Sequence, residues 1–188
     1  MKKVMITVGA AIVASAINAA SFQWSSTGTV YDPAGTSMAS TGFTAYLFDS
    51  SAVSQSALVA ALRAGGSIAD YTALDTFTTS NAAKISKQTA FETTTAAGDD
   101  LSSYFAIITT SGGTDYVYIS NEKTVAAQET ATVGIAFASQ STSSASVNPF
   151  ETAYSSAGWY ATSSVPEPTS GLLMLLGMAG LALRRRRA

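Results

Sequence analysis

Apolar and polar residues alternate with a period of two along several stretches, the pattern of a half-buried β-strand. Phe22-Gln23-Trp24-Ser25 begins it, Gly28-Thr29-Val30-Tyr31 runs into a Pro33/Gly35 turn, and Thr44-Ala45-Tyr46-Leu47-Phe48 follows. Strand-like runs return at Lys84 to Thr93, Ser103 to Thr110, Thr114 to Ser120, Thr130 to Ser139 and Gly158 to Thr162. Ser111-Gly112-Gly113 lies between the runs that begin at Ser103 and Thr114 and predicts a hairpin. The Trp159 strand is expected to close the sheet against the N-terminal strand. One segment switches to helical spacing, with Leu58, Ala61 and Leu62 on a face. Ser54 is its N-cap, Val53 and Leu58 form a hydrophobic staple, and Gly65 supplies a left-handed stop. Ser67-Ile68-Ala69-Asp70 reads as a capping box opening a second short helix through Leu74. Gln140 to Val147 is rich in Ser and Thr and reads as a loop. The pattern predicts a mainly β chain: one antiparallel β-sandwich-like domain with one or two short inserted helices.

The two ends break the alternation. Met1-Lys2-Lys3 precedes an apolar run from Val4 to Ala14, too short to span a bilayer of roughly 30 Å. Small residues follow and place cleavage within Ala14 to Ala20, with Ala14-Ser15-Ala16 the cleanest pattern and a cut after Ala19 or Ala20 the alternative, so residues 1–20 read as a signal peptide. At the other end, Pro166 and Pro168 stop any helix from extending backwards. Residues 171–183 are then all apolar or glycine, and Arg184, Arg185, Arg186 and Arg187 close the run. An apolar helix over 171–183 is expected to anchor transiently in the inner membrane, with both basic ends on the cytoplasmic side. The expected division is 1–20 signal peptide, 21–163 exported β-rich domain and 164–188 sorting segment.

Val165-Pro166-Glu167-Pro168, the apolar run and the arginine cluster, in that order at the terminus, resemble a PEP-CTERM sorting signal. The resemblance implies a substrate of an exosortase, an integral-membrane transpeptidase, with Val165 to Pro168 as its motif and Arg184 to Arg187 as the cytoplasmic stop. It further implies the cell surface or an extracellular polysaccharide matrix as destination, while the N-terminal signal peptide makes signal peptidase and Sec-type export the expected partners. The run from Gly28 to Gly35, together with Ala45-Tyr46-Leu47-Phe48, resembles the opening of prealbumin-like, immunoglobulin-like sandwich domains.

Composition narrows the chemistry. The chain holds no His and no Cys, which removes the usual zinc and haem ligands, thiol chemistry and the commonest general base. Residues 21–165 carry four basic against eleven acidic side chains, a balance that repels nucleic acid. No cofactor is expected. Asp32, Asp70, Asp75, Glu92, Asp99, Asp100, Asp115 and Glu122 are the carboxylates a glycoside hydrolase would draw on, but nothing pairs them in sequence. Lys84 and Lys87 offer a serine–lysine dyad only formally, and Asp99-Asp100 lacks a calcium-loop pattern. Tyr116 and Tyr118 on one strand face, with Trp159, are candidate glycan contacts, although cross-strand packing is the favoured reading of all three. The expectation is a non-enzymatic structural protein of the surface or matrix. The alternatives are a polysaccharide-binding module and a secreted glycoside hydrolase.

Overall fold

A computed structural model of the chain describes residues 19–129, 131–138 and 153–162. These residues form nine strands and one helix: β1 Ala19–Ser26, β2 Phe43–Asp49, α1 Gln55–Arg63, β3 Asp75–Thr79, β4 Ser86–Ala96, β5 Asp100–Ser111, β6 Thr114–Ile119, β7 Lys123–Ala126, β8 Val133–Phe137 and β9 Gly158–Ala161. A short 3-10 turn, Ile68–Asp70, follows α1.

The strands make two sheets. The smaller has the order β4-β1-β8, and the larger β3-β2-β5-β6-β9 with β7 beside β5. β5 is the longest strand, and its alternation sends side chains to two separate cores. Leu101, Phe105 and Ile107 face the smaller sheet and pack with Phe22, Trp24, Ile135 and Phe137. Tyr104 and Ala106 face the other way, onto Leu58, Val59 and Leu62 of α1. The larger sheet is therefore the middle layer, apolar on both faces. Phe105 sits at the centre, with ring centroids 5.1 Å from Phe137, 5.6 Å from Tyr118 and 6.1 Å from Trp24.

Local signals account for α1. The Ser54 hydroxyl accepts from the Ala57 amide, Val53 packs beside buried Leu58, and Gly65 takes φ +87°. The Ser67–Asp70 capping box forms, but the turn it opens ends at Asp70 rather than Leu74.

Several expectations require correction. The domain is not wholly antiparallel, because β1 and β8 run parallel in register Phe22↔Val133 to Ser26↔Phe137. β9 pairs with β6, in the opposite sheet from the N-terminal strand. Gly28 to Tyr31 forms only a bridge, Tyr31↔Ser37, because Asp32 turns the chain by accepting from the Ala34 and Thr36 amides. Among the described residues no helix is long and apolar enough to cross a membrane, and α1 has nine residues. The C-terminal transmembrane helix is accordingly withdrawn from the fold. The segment assigned to it lies outside the described residues, and thirteen apolar residues would rise only about 20 Å against a core of roughly 30 Å. The signal-peptide and Gln140 to Val147 assignments also fall mainly outside them; β1 begins at Ala19, two residues before the expected boundary.

Candidate functional site

Two of the three residues proposed as glycan contacts, Tyr118 and Trp159, lie in the interior. Trp159 is fully buried and Tyr118 is 6% exposed, and both face the smaller sheet. They are cross-strand partners on β9 and β6, with ring centroids 5.5 Å apart. Tyr116, half-buried, packs against the same cluster. Buried in this way, Tyr118 and Trp159 offer no platform to a sugar, and they form a cross-strand packing pair instead.

The carboxylates are dispersed among local duties. Asp32 holds its turn, Asp70 caps the 3-10 turn, and Asp115 accepts from the Thr110 hydroxyl at 2.6 Å. Asp75 does the most: its carboxylate accepts from the buried Trp24 indole N–H at 2.8 Å and pairs with Lys87 at 3.0 Å. Lys87 is thereby committed, and it also donates to the Thr76 carbonyl at 2.8 Å. This network joins β1 and β4 of the smaller sheet to β3 of the larger. Among the described residues no three metal-ligating side chains converge.

Beneath α1 lies a group of tyrosines. Gln55 donates to the Ser120 carbonyl at 2.6 Å and to the Tyr154 hydroxyl at 3.0 Å. The Tyr160 hydroxyl donates to the Ser156 carbonyl and accepts from the Ser155 and Ser156 amides. Among the described residues the Tyr104 hydroxyl is buried without a partner, as are Ser103 Oγ and Trp159 Nε1. Burial first, and then the neighbouring Tyr71 and Tyr154, push the Tyr104 phenol well above its usual range. Tyr154 is raised as well, by burial and then by Tyr160, against a lowering hydrogen bond from Gln55. Both phenols are thus protonated at neutral pH, when neither is a base.

A cleft of about 530 Å³ lies where the end of α1 overhangs the larger sheet. Its wall runs from Leu62 to Ile68, and its floor is Ile108, Asp115 and Thr162. The sequence builds this overhang through two glycines. Gly65 reverses the chain, and the Gly66 amide donates to the Ala61 carbonyl at 2.9 Å, the wrap that ends a helix at glycine. Any side chain at Gly66 would press on that carbonyl, at 2.9 Å from its Cβ. Ile108, at 37%, is the one exposed large hydrophobic among the described residues. The cleft was not legible in the sequence, because Arg63 on α1, Ile108 on β5 and Asp115 on β6 meet only once the helix packs on the sheet. Gly65-Gly66 was the available signal.

The cleft also adjoins the end of the last strand. After β9, the Thr162 amide donates to the Asp115 carbonyl at 2.8 Å. Residues 164–187 match the PEP-CTERM protein-sorting motif. No curated protein and no solved structure matches the chain. The matched segment includes Val165 to Pro168 and Arg184 to Arg187, which lie outside the described residues. The chain thus carries an exosortase-type sorting signal, and by that signal it is an exported protein of the cell surface or extracellular matrix. The expected transient anchoring in the inner membrane is corrected along with the helix that was to provide it, since no described helix spans a membrane.

Proposed function

We propose that the exported β-rich domain, expected over residues 21–163, is a non-enzymatic structural module, carried to the surface or matrix by the sorting signal and held there by its C-terminal end. The observation that carries this reading is the spacing at that end. Thr162 still hydrogen-bonds to the sheet, and the sorting motif begins at residue 164. Whatever is joined to the chain near Pro166-Glu167-Pro168 therefore holds the β-domain by its edge strand, with almost no slack. The polar side chains described above support the same reading, since Asp75, Lys87, Asp70, Gln55 and Tyr160 are occupied in holding the fold together. In the native host, replacing Pro166, Glu167 and Pro168 by alanine should leave the protein with the cells. The matrix should lose both the protein and part of its cohesion. A matrix unchanged in composition and strength would contradict the structural role.

The cleft favours a second reading, a polysaccharide-binding module. Ile108 gives it an apolar floor, and Arg63 and Asp115 supply groups that hydrogen-bond hydroxyls. Ile108→Arg should then abolish retention on the matrix polysaccharide. Tyr116→Ala should act only through stability.

A further inference from the structure

Gly134 stands in the middle of β8 for no reason that the fold supplies. Glycine weakens a strand interior, where it marks a bulge, a bend or the close approach of a ligand or another backbone. Gly134 does not take a positive φ, and it pairs with Gln23 in an unbroken register. A Cβ built on it would meet nothing within 4 Å. The space that a side chain would fill belongs to a groove of about 270 Å³ on the smaller sheet.

The groove lies on the face of that sheet turned away from the core. Ile135 and Phe137 of β8 are buried, whereas Gly134 and Ala136, alternating with them, are exposed. On β1, half-buried Gln23 and Ser25 alternate in the same way with buried Trp24. β4 supplies the far wall through a bulge: a step of two residues on β1, Phe22 to Trp24, matches a step of four on β4, Phe91 to Lys87. Gln88, Thr89 and Ala90 are thereby thrown outward, and Gln88 lines the groove with Ser86.

Gln23, Ser25, Ser86 and Gln88 present amides and hydroxyls, which both donate and accept hydrogen bonds, as sugar hydroxyls do. Among the described residues none of these four side chains has a hydrogen-bond partner. The one charged residue of the lining, Lys87, has its ammonium on Asp75 at 3.0 Å and on the Thr76 carbonyl at 2.8 Å. A polymer bearing carboxylate or sulfate finds no free cation in this lining, and residues 21–165 carry four basic against eleven acidic side chains.

We propose that this groove binds a neutral polysaccharide of the matrix, with a sugar ring seated over Gly134 and its hydroxyls held by Gln23, Gln88 and the two serines. The proposal rests on the reading of the domain as a polysaccharide-binding module and gives that reading a second site with a stated ligand class. α1 and the smaller sheet cover opposite faces of the larger sheet, so the cleft and the groove lie on opposite sides of the domain. A mesh of chains engages both, and losing either lowers retention by more than that site's own affinity.

The test uses isotopically labelled protein recovered from a host that processes the full chain. It is titrated with oligosaccharides cut from that host's matrix and separated into neutral and acidic pools. The neutral pool should move the backbone amide resonances of Gln23, Ser25, Gly134 and Ala136. Gly134→Val should fill the groove and weaken this binding roughly tenfold. Its urea midpoint should stay at or above the wild-type value, because the strand gains a β-branched side chain where the space is open. Gln23→Ala should weaken binding several-fold with the groove left open. Resonance changes confined to Gly65, Gly66 and Ile108 would overturn the groove and leave the cleft reading standing. A Gly134→Val chain that binds as the wild type does would overturn it too, as would a groove that answers only to the acidic pool. No change anywhere with either pool would remove the polysaccharide-binding reading itself, and the groove with it.

Discussion

Asp75 is the residue whose loss most directly tests how the two sheets are joined. Its carboxylate lies 2.8 Å from the Trp24 indole nitrogen and 3.0 Å from Lys87 Nζ. Trp24 is 1% exposed, so its N–H has no access to water if the acceptor is removed. Asp75→Ala should therefore cost about 1–3 kcal/mol for the stranded indole donor. The lost ion pair adds only about 0.2–1 kcal/mol, because the Lys87 and Asp75 side chains are 26% and 14% exposed. Asp75→Asn keeps an oxygen for Trp24 and gives up only the charge, so it should cost roughly 1 kcal/mol or less. Equilibrium urea unfolding of the three chains measures this. Tryptophan fluorescence is a suitable probe, since the chain has only Trp24 and Trp159. Added salt should shrink the Asn deficit and leave the Ala deficit in place. The reasoning fails if the two substitutions cost the same, or if Trp24→Phe does not relieve the Asp75→Ala penalty in a double-mutant cycle.

Other substitutions probe the remaining layers. Phe105→Ala, at the junction of three aromatic rings, should cost about 3–5 kcal/mol in the same denaturant assay, and a loss below about 1 kcal/mol would contradict its central place. Gly42→Ala should destabilise by more than about 1 kcal/mol: its φ is +70°, and the new Cβ would strike the Thr79 carbonyl and lie 2.8 Å from Ser80 Cα. Tyr104→Phe removes a buried hydroxyl that has no partner among the described residues and should be neutral or mildly stabilising near pH 7. Its effect on pH dependence has a definite sign. The folded phenol titrates above the unfolded one, so above about pH 10 the unfolded chain binds fewer protons and stability falls, by up to about 1.4 kcal/mol per pH unit. Urea midpoints measured between about pH 8 and 11 should show this fall in the wild type and a shallower one in Tyr104→Phe.

Features with local causes were legible in the sequence. Ser54, Val53, Leu58 and Gly65 lie within a few residues of one another and determine α1 without help from the rest of the chain. The Gly112-Gly113 turn likewise aligns β5 with β6, and both glycines take positive φ. Features set by distant partners were not legible. β3, Asp-Thr-Phe-Thr-Thr, is a strand because β2 offers it an edge, with Ala45↔Phe77 at the centre. β7 has no fully buried residue to produce an alternation; it pairs with β5 and sets half-buried Val125 against the core. The parallel pairing of β1 with β8 joins residues more than a hundred positions apart, and no local pattern encodes a partner or a direction. At the candidate sites, alternation placed Tyr116 and Tyr118 on one face but could not say that the face is covered by a second sheet. The sorting signal was the opposite case: its order of Pro-Glu-Pro, apolar run and arginines is read from the chain itself and needs no fold.

The measurement that tests the central claim most directly is the intact mass of the protein recovered from its native envelope and matrix. A chain lacking the N-terminal leader, and everything beyond the Pro166-Glu167-Pro168 region, is the predicted result; any surplus mass would identify what is joined there. A chain still ending at Ala188 would contradict the account, because the β-domain would then never have been transferred by its C-terminus.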